Sequence, residues 1–308
     1  MATETKPTPP LVSIIVPSFN QGRFIRRTLE SIFSQDYRPL QVIVIDGASK
    51  DETVDVLRSF DGTPSFEWVS EPDSGVVEAV NKGFARARGV IGGIQSSDDF
   101  YLPGAISAGV AALLEDPALA FVYGDVAKVD AEGRELSRST SGPYSLEGLL
   151  LKDSNVLQPA TFFRLDLAKA LGGWCEEVPY SADTDLWFRM ALQAPARKLD
   201  VLMAQRSMHE AQRDTQGAKV VRDYGRMIDS LMPQFATRGL AGAARASRLL
   251  MANHYERPSE LVRVGRLWRA SFHAPKVVRK FPFGVYIPWY FPTRARLRAA
   301  ALSVLRDR

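Results

Sequence analysis

Sulfur and imidazole are scarce in this chain: 308 residues contain one cysteine, Cys175, and three histidines. A single thiol excludes an internal disulfide framework and fits a reducing compartment. No apolar run approaches the length needed to cross a bilayer, so no transmembrane helix is expected. The first ten residues, MATETKPTPP, carry an acidic residue and prolines, with no apolar core of a secretory leader, so no signal peptide is expected and the cytoplasm is the predicted compartment. Two phosphate-binding patterns are also missing. Neither G-x-G-x-x-G nor G-x-x-x-x-G-K-[ST] occurs, which counts against an ordinary dinucleotide site and against a P-loop.

What remains is an ordinary globular composition, 45% hydrophobic and 24% charged, long enough for one large α/β domain with an appendage. The net charge of +4 is unevenly distributed. Residues 241–308 hold 14 Lys and Arg against 3 Asp and Glu; the other 240 residues hold 25 against 32. A basic tail on a mildly acidic body implies attraction to an anionic surface.

The short β-branched run at 11–16 (LVSIIV) reads as a buried parallel strand, and 41–45 (QVIVI), 66–69 and 90–94 read as three further strands. Between them, apolar residues recur at helical spacing: Phe24, Ile25, Leu29, Ile32 and Phe33, then Val54 and Leu57, then 76–88. Strands and helices alternating at these intervals predict right-handed βαβ units and a central, mainly parallel, twisted sheet flanked by helices. Further along, a helix is expected over 105–114 and a strand over 121–129 leading into a hairpin turn at 130–134. Residues 158–164 are expected to be extended, 166–171 to form a helix stopped by Gly172-Gly173, and a helix to follow Tyr180–Asp185.

Open sheets of this kind bind ligands beyond the carboxyl ends of their strands. Here those ends carry Pro17 to Gly22, Asp46-Gly47, Asp73 to Gly75 and Ser97-Asp98-Asp99. The adjacent carboxylates Asp98 and Asp99 repel each other unless a positive charge lies beside them, and a hard divalent cation bound by carboxylate oxygens removes that conflict. A plain acidic turn or helix cap is the alternative.

In this order and spacing, SIIVPSFNQGRFIRRTLESIFSQDY, QVIVIDGASKDETVDVL, SEPDSGVVEAVNKGFARARG, SSDD, QPATFFR and SADTDLWFRMAL resemble the family 2 glycosyltransferases, inverting enzymes with the GT-A nucleotide-sugar-binding fold. The resemblance covers about residues 12 to 192. It implies a nucleoside diphosphate sugar as donor, with Pro17, Ser18 and Asp46 around base and ribose and Asp73 and the segment Asn81-Lys82-Gly83 near the nucleotide. It implies Ser97-Asp98-Asp99 as a variant metal motif binding Mn²⁺ or Mg²⁺, with a serine where the family's first acid usually stands. Asp183 matches the general base, although Ala182 replaces the Glu that often precedes it. His209 resembles a late histidine that serves some members as a further metal ligand.

Other assignments stay open beside these. Asp73 equally suits a plain turn, Asp185 a first-turn acid favoured by the helix dipole, Lys82 a solvated lysine and His209 a hydrogen-bonded histidine. Trp187 and Phe188 are expected in the core. The expected organisation is a catalytic domain over 1–235, with its nucleotide half at about 10–115 and its acceptor half at about 116–235, followed by a basic helical and aromatic extension over 236–308.

In that extension Leu261, Val264, Leu267, Trp268 and Phe272 recur on one helical face and Arg263, Arg266 and Arg269 on another. The run FPFGVYIPWYFP and Arg294, Arg296 and Arg298 follow. This pattern predicts peripheral association with the anionic inner face of the cytoplasmic membrane, and a glycan or lipid-linked acceptor; a helical cover or a dimer partner is the competing reading. A sugar nucleotidyltransferase and a catalytically degenerate nucleotide-sugar-binding protein are the alternative functions. Nucleic-acid binding is not expected, because no recognition motif accompanies the charge.

Overall fold

The computed structural model describes residues 8–130, 132–208, 216–256 and 259–280. Its described part divides into two compact units, one comprising Met1–Leu146 and Ser154–Thr215, the other Glu147–Asp153 and Gln216–Arg308.

The first unit opens with the predicted βαβ succession: β1 (Val12–Ser18), α1 (Gly22–Phe33), β2 (Leu40–Asp46), α2 (Thr53–Arg58), β3 (Phe66–Ser70), α3 (Val76–Arg86) and β4 (Ile91–Ile94). Then come β5 (Phe100–Tyr101), α4 (Ala105–Glu115), β6 (Phe121–Val129), β7 (Glu135–Ser139), β8 (Thr161–Arg164), α6 (Leu165–Ala170), α7 (Ala182–Ala191) and β9 (Ala196–Ser207); between β7 and β8 the chain forms α5 (Leu146–Leu151), which from Glu147 onward belongs to the second unit. The sheet order is β3-β2-β1-β4-β8-β6-β9-β5, with β7 paired to β6. Neighbours from β3 to β4 run parallel, as do β6 and β9, while β8 lies antiparallel between β4 and β6.

Every residue of β1 and β2 is buried, as strands covered on both faces must be. The period-2 alternation sorts their side chains between two cores. Val12, Ile14, Val16, Val42 and Val44 pack with Ile25, Leu29 and Ile32 of α1 on one face. Ile15, Ile43 and Ile45 pack with Val77, Val80 and Phe84 of α3 and with Leu186 and Trp187 of α7 on the other. Gly83 lets α3 approach β1 closely: a Cβ there would lie 2.3 Å from Ile15 Cγ2.

Three local expectations are corrected. Residues 158–160 form a 3₁₀ turn, and only 161–164 are extended. The helix expected after Asp185 begins at Ala182, so Asp183 and Asp185 lie in its first turn. The twelve-residue β9 was not anticipated, because ARKLDVLMAQRS carries charges at positions that read as loop. Those charges are matched: Arg197 binds Glu115 and Asp116, and Lys198 binds Asp125 at 3.1 Å and Asp200 at 2.7 Å.

The second unit contains α8 (Gly217–Thr237), α9 (Ala241–Tyr255), α10 (Glu260–His273) and a 3₁₀ segment over Pro275–Lys280. Its last segment grips the inserted residues 147–153 through Lys276 to Glu147 and through Arg279 and Lys280 to Asp153. Of the predicted apolar stripe on α10, Leu267 is buried but Phe272 is 64% exposed; the buried face runs instead through Leu267, Ala270 and Ala274. The aromatic run over 281–292 lies outside the described residues. No helix of the described residues is long and apolar enough to cross a membrane.

Candidate active site

The carboxyl ends of three parallel strands bring polar residues into one row. Ser18 of β1 is in register with Asp46 of β2, and Asp46 with Ser70 of β3. Asp46 is fully buried, so its carboxylate must be satisfied internally. One oxygen accepts from Ser70 Oγ (2.6 Å) and Ser49 N (2.9 Å), the other from Ser49 Oγ (2.5 Å). Asp73 lies against the same corner, since a Cβ on Gly47 would sit 2.9 Å from Asp73 Oδ2. Burial raises the Asp73 carboxyl above its ordinary value; Glu78 and Asp46 add to this, while the Gly75 N–H and Lys82 oppose it. Ser18 is buried at the end of β1, and its hydroxyl has no hydrogen-bond partner among the described residues. Pro17 beside it is buried and carries no N–H.

The loop after β1 is latched to the loop after β2. Asn20, in the left-handed region at φ 52°, accepts from Lys50 N and donates its own N–H to Ser49 Oγ. Gln21 N donates to Thr53 Oγ1 and Gly22 N to Asp51 Oδ2. Burial favours a higher Asp51 value, but the bonds from Thr53 and Gly22 outweigh it and hold that carboxyl low.

Next to this row, beyond β4, Ser96 to Asp99 close a turn through Asp99 N to Ser96 O (3.0 Å). Thr28, a hydroxyl on the buried face of α1, donates to both Ser97 O (3.0 Å) and Asp99 O (2.8 Å). On the opposite side the end of β9 arrives: Ser207 N donates to Asp99 Oδ1 at 3.0 Å, and Ser207 Oγ to Asp98 O. Gln158 of the QPATFF run donates its amide to Ile94 O at the last residue of β4. The two acids therefore differ. Asp99 is only 3% exposed and binds β9, whereas Asp98 sits at the half-buried tip of the turn.

Asp183 is half-buried in the first turn of α7, where its Oδ1 accepts from Thr184 N at 2.7 Å. Asp185 is buried rather than dipole-facing solvent: Arg189 donates to its Oδ2 at 2.7 Å and also to Leu171 O and Gly173 O. Burial raises the Asp185 carboxyl, and Arg189 works against that rise. This one guanidinium thus ties α7 to the Gly172-Gly173 turn, whose glycines take φ 85° and 68°.

Other expected contributors are occupied structurally. Lys82 binds Glu71 at 2.7 Å and Glu78 at 2.9 Å, and these partners raise its value, Glu71 foremost. Asn81 exchanges two 2.9 Å bonds with the backbone of Trp174. His209 lies outside the described residues, and among those residues no group of three His, Cys, Asp or Glu stands ready for a metal. Sequence reading missed Ser49, Ser70, Thr28, Gln158 and Ser207. Two of them left a trace: Gln158 as the first residue of QPATFFR, and Thr28 as a hydroxyl at a helical position whose neighbours are apolar.

The sequence pattern described as glycosyl transferase family 2 matches residues 13–171 of the chain. The chain belongs to glycosyl transferase family 2. An uncharacterized glycosyltransferase of Mycobacterium tuberculosis is 33% identical over 186 residues, 59% of this chain and 70% of that protein. Chondroitin synthase of Escherichia coli is 28% identical over 205 residues, 65% of this chain but 29% of the synthase. Hyaluronan synthase of Pasteurella multocida is 27% identical over 205 residues, 65% of this chain and 21% of that protein. The family 2 chain thus spans less than a third of either synthase.

Among solved structures, S. aureus TarS 1–349 in complex with UDP-GlcNAc superposes with a TM-score of 0.65 at 16% identity, covering 88% of this chain and 81% of that one. Mannosyltransferase PcManGT from Pyrobaculum calidifontis, in complex with GDP-Man and Mn²⁺, superposes at 0.59 and 20% identity, covering 98% and 89%. The mainly parallel sheet with helices on both faces is the GT-A fold that these structures share.

Proposed function

We propose that this family 2 member is a metal-dependent, inverting glycosyltransferase that moves a sugar from a nucleoside diphosphate to an acceptor hydroxyl in glycan assembly. The observation that carries the reading is the row Ser18–Asp46–Ser70 with the Asp98-Asp99 turn beside it, on the edge where parallel sheets bind ligands. Base and ribose belong at Pro17, Ser18, Asp46 and Asp73, where the buried Ser18 hydroxyl has no hydrogen-bond partner among the described residues. Lys82 contributes by holding Glu71, which leads into Asp73.

The donor set fits a hard cation. Asp98 offers carboxylate oxygen at the tip of the turn, Asp99 is anchored next to it, and Mg²⁺ or Mn²⁺ commonly completes its shell with substrate phosphates and water. Asp98, with Asp99 and His209 as further candidates, would hold it. Such an ion stabilises the charge that develops on the departing diphosphate. The chain's own part is to fix the turn from both sides through Thr28 and Ser207, so that the carboxylates need no rearrangement as charge develops. Asp183 takes the proton of the acceptor hydroxyl as that oxygen attacks the anomeric carbon. Attack opposite to departure inverts the centre, and one carboxylate suffices.

The TarS and PcManGT complexes, with UDP-GlcNAc and with GDP-Man and Mn²⁺, support a nucleotide-sugar donor here without naming it. The acceptor is read as a glycan or a lipid-linked glycan. The catalytic role is assigned to residues 1–235 and peripheral attachment to an anionic inner membrane face to residues 236–308. A thermal-shift screen of nucleoside diphosphates tests the site: at least one is expected to stabilise the chain more with Mn²⁺ than without, by mass action on the folded state. Asp98→Asn is expected to abolish the Mn²⁺ increment. Asp183→Asn is expected to keep nucleotide binding and lose about 10²–10⁴-fold in turnover. Full turnover in Asp183→Asn would place the base elsewhere.

A further inference from the structure

The second unit carries a concave cationic feature that the transfer chemistry does not use. Helices α8, α9 and α10 enclose a groove of about 420 Å³. Arg245 and Arg248 reach it from α9, Arg269 and His273 from α10, and Asp229 from α8, over a floor that includes Met232 and Leu249. Asp229 is taken by Arg248 at 2.6 Å. Among the described residues Arg245 and Arg269 have no carboxylate partner, and both are exposed. Three guanidiniums around one carboxylate leave the groove two positive charges in excess even with His273 neutral, and an anion entering it relieves their repulsion.

What kind of anion follows from the rim. Phe272 is 64% exposed immediately beside His273 and one turn from Arg269. A soluble phosphate would use the guanidinium forks but not an exposed aromatic ring. At the boundary of a bilayer both find their place, the forks on headgroup phosphate oxygens and the ring among the first carbons below.

We propose that the Arg245–Arg269–His273 groove seats the phosphate of an anionic phospholipid headgroup, making it the specific contact through which the helical unit meets a membrane. This rests on the reading of residues 236–308 as the membrane-facing part, and it narrows a diffuse basic tail to one seat. The seat is independent of Asp98 and Asp183.

The test is co-flotation of the full chain with vesicles of phosphatidylcholine containing 30% phosphatidylglycerol, compared with phosphatidylcholine alone. The wild type is expected to float only with the anionic vesicles. Arg245→Gln/Arg269→Gln is expected to bind about 30-fold more weakly, the loss that two cations near such a surface entail. Arg58→Gln/Arg138→Gln removes the same net charge from exposed positions of the first unit and is expected to bind within about twofold of wild type. Equal loss in both double variants would overturn the seat and leave a diffuse attraction. A wild type that ignores anionic vesicles would overturn both the seat and the membrane reading. Binding that inorganic phosphate at 10 mM displaces in full, or retention by single-stranded RNA in place of vesicles, would assign the groove to another ligand. Thermal midpoints equal to wild type in both double variants verify that each remains folded.

Discussion

Arg189 is the side chain whose loss should be most informative about how Asp183 is presented. Its side chain is 17% exposed and that of its partner Asp185 5%, and its guanidinium also satisfies Leu171 O and Gly173 O. Arg189→Met keeps the aliphatic bulk but leaves a buried carboxylate and two carbonyls without their donor. Breaking a buried pair from one side costs about 3–5 kcal/mol, and the partial exposure of Arg189 favours the lower end, about 3 kcal/mol. In a unit of this size that lowers the thermal midpoint by about 6–12 °C. The sign with pH follows from Asp185. Burial already raises its carboxyl, and without Arg189 nothing opposes the rise. A value raised in the folded state contributes stability that is complete below the unfolded value and is lost as pH climbs through the folded one. The variant's deficit should therefore be smallest in acid and grow as pH rises through the elevated Asp185 value. Asp185→Asn/Arg189→Met carries no buried charge and should recover much of the loss with no such pH dependence. Calorimetry of the three proteins across pH decides it. A deficit below about 1 kcal/mol, or one equal at acid and neutral pH, would refute the buried ion pair as the clamp of α7.

Two further substitutions probe the parallel part of the sheet. Gly83→Ala places a methyl 2.3 Å from Ile15 Cγ2 and should cost about 1–3 kcal/mol in urea denaturation, with an unchanged m-value. Asp46→Ala removes the acceptor of Ser49 and Ser70 and should cost about 1–3 kcal/mol. It should also diminish the thermal shift given by whichever nucleoside diphosphate stabilises the native chain; an undiminished shift would remove Asp46 from the site.

The elements most legible in the sequence were those whose burial is complete. β1 and β2 are apolar because helices cover both faces, and α1 and α3 show their period because one stripe meets the sheet. β9 was illegible for the opposite reason: its charges are neutralised by Glu115, Asp116 and Asp125, partners about 70 to 80 residues away that no local window sees. The same holds around the acids. Asp98 and Asp99 were recognisable as a pair, but the difference between them comes from Ser207, more than a hundred residues later. Motif order reached the family and the edge of the sheet on which the candidate residues gather. It did not reach the serines, threonine and glutamine that hold the loops, because such residues are ordinary until a fold brings them together.

The seven residues 147–153 give the helical unit a foothold inside the stretch 13–171 that the family pattern spans. The polypeptide passes between units three times, so no single cut separates them. A chain ended at Thr215 would keep Glu147 and Asp153 while discarding Lys276, Arg279 and Lys280, the cations that neutralise them. Shedding the helical part cleanly would therefore demand an internal rewrite as well as an earlier stop codon, which ties the inheritance of the two units together.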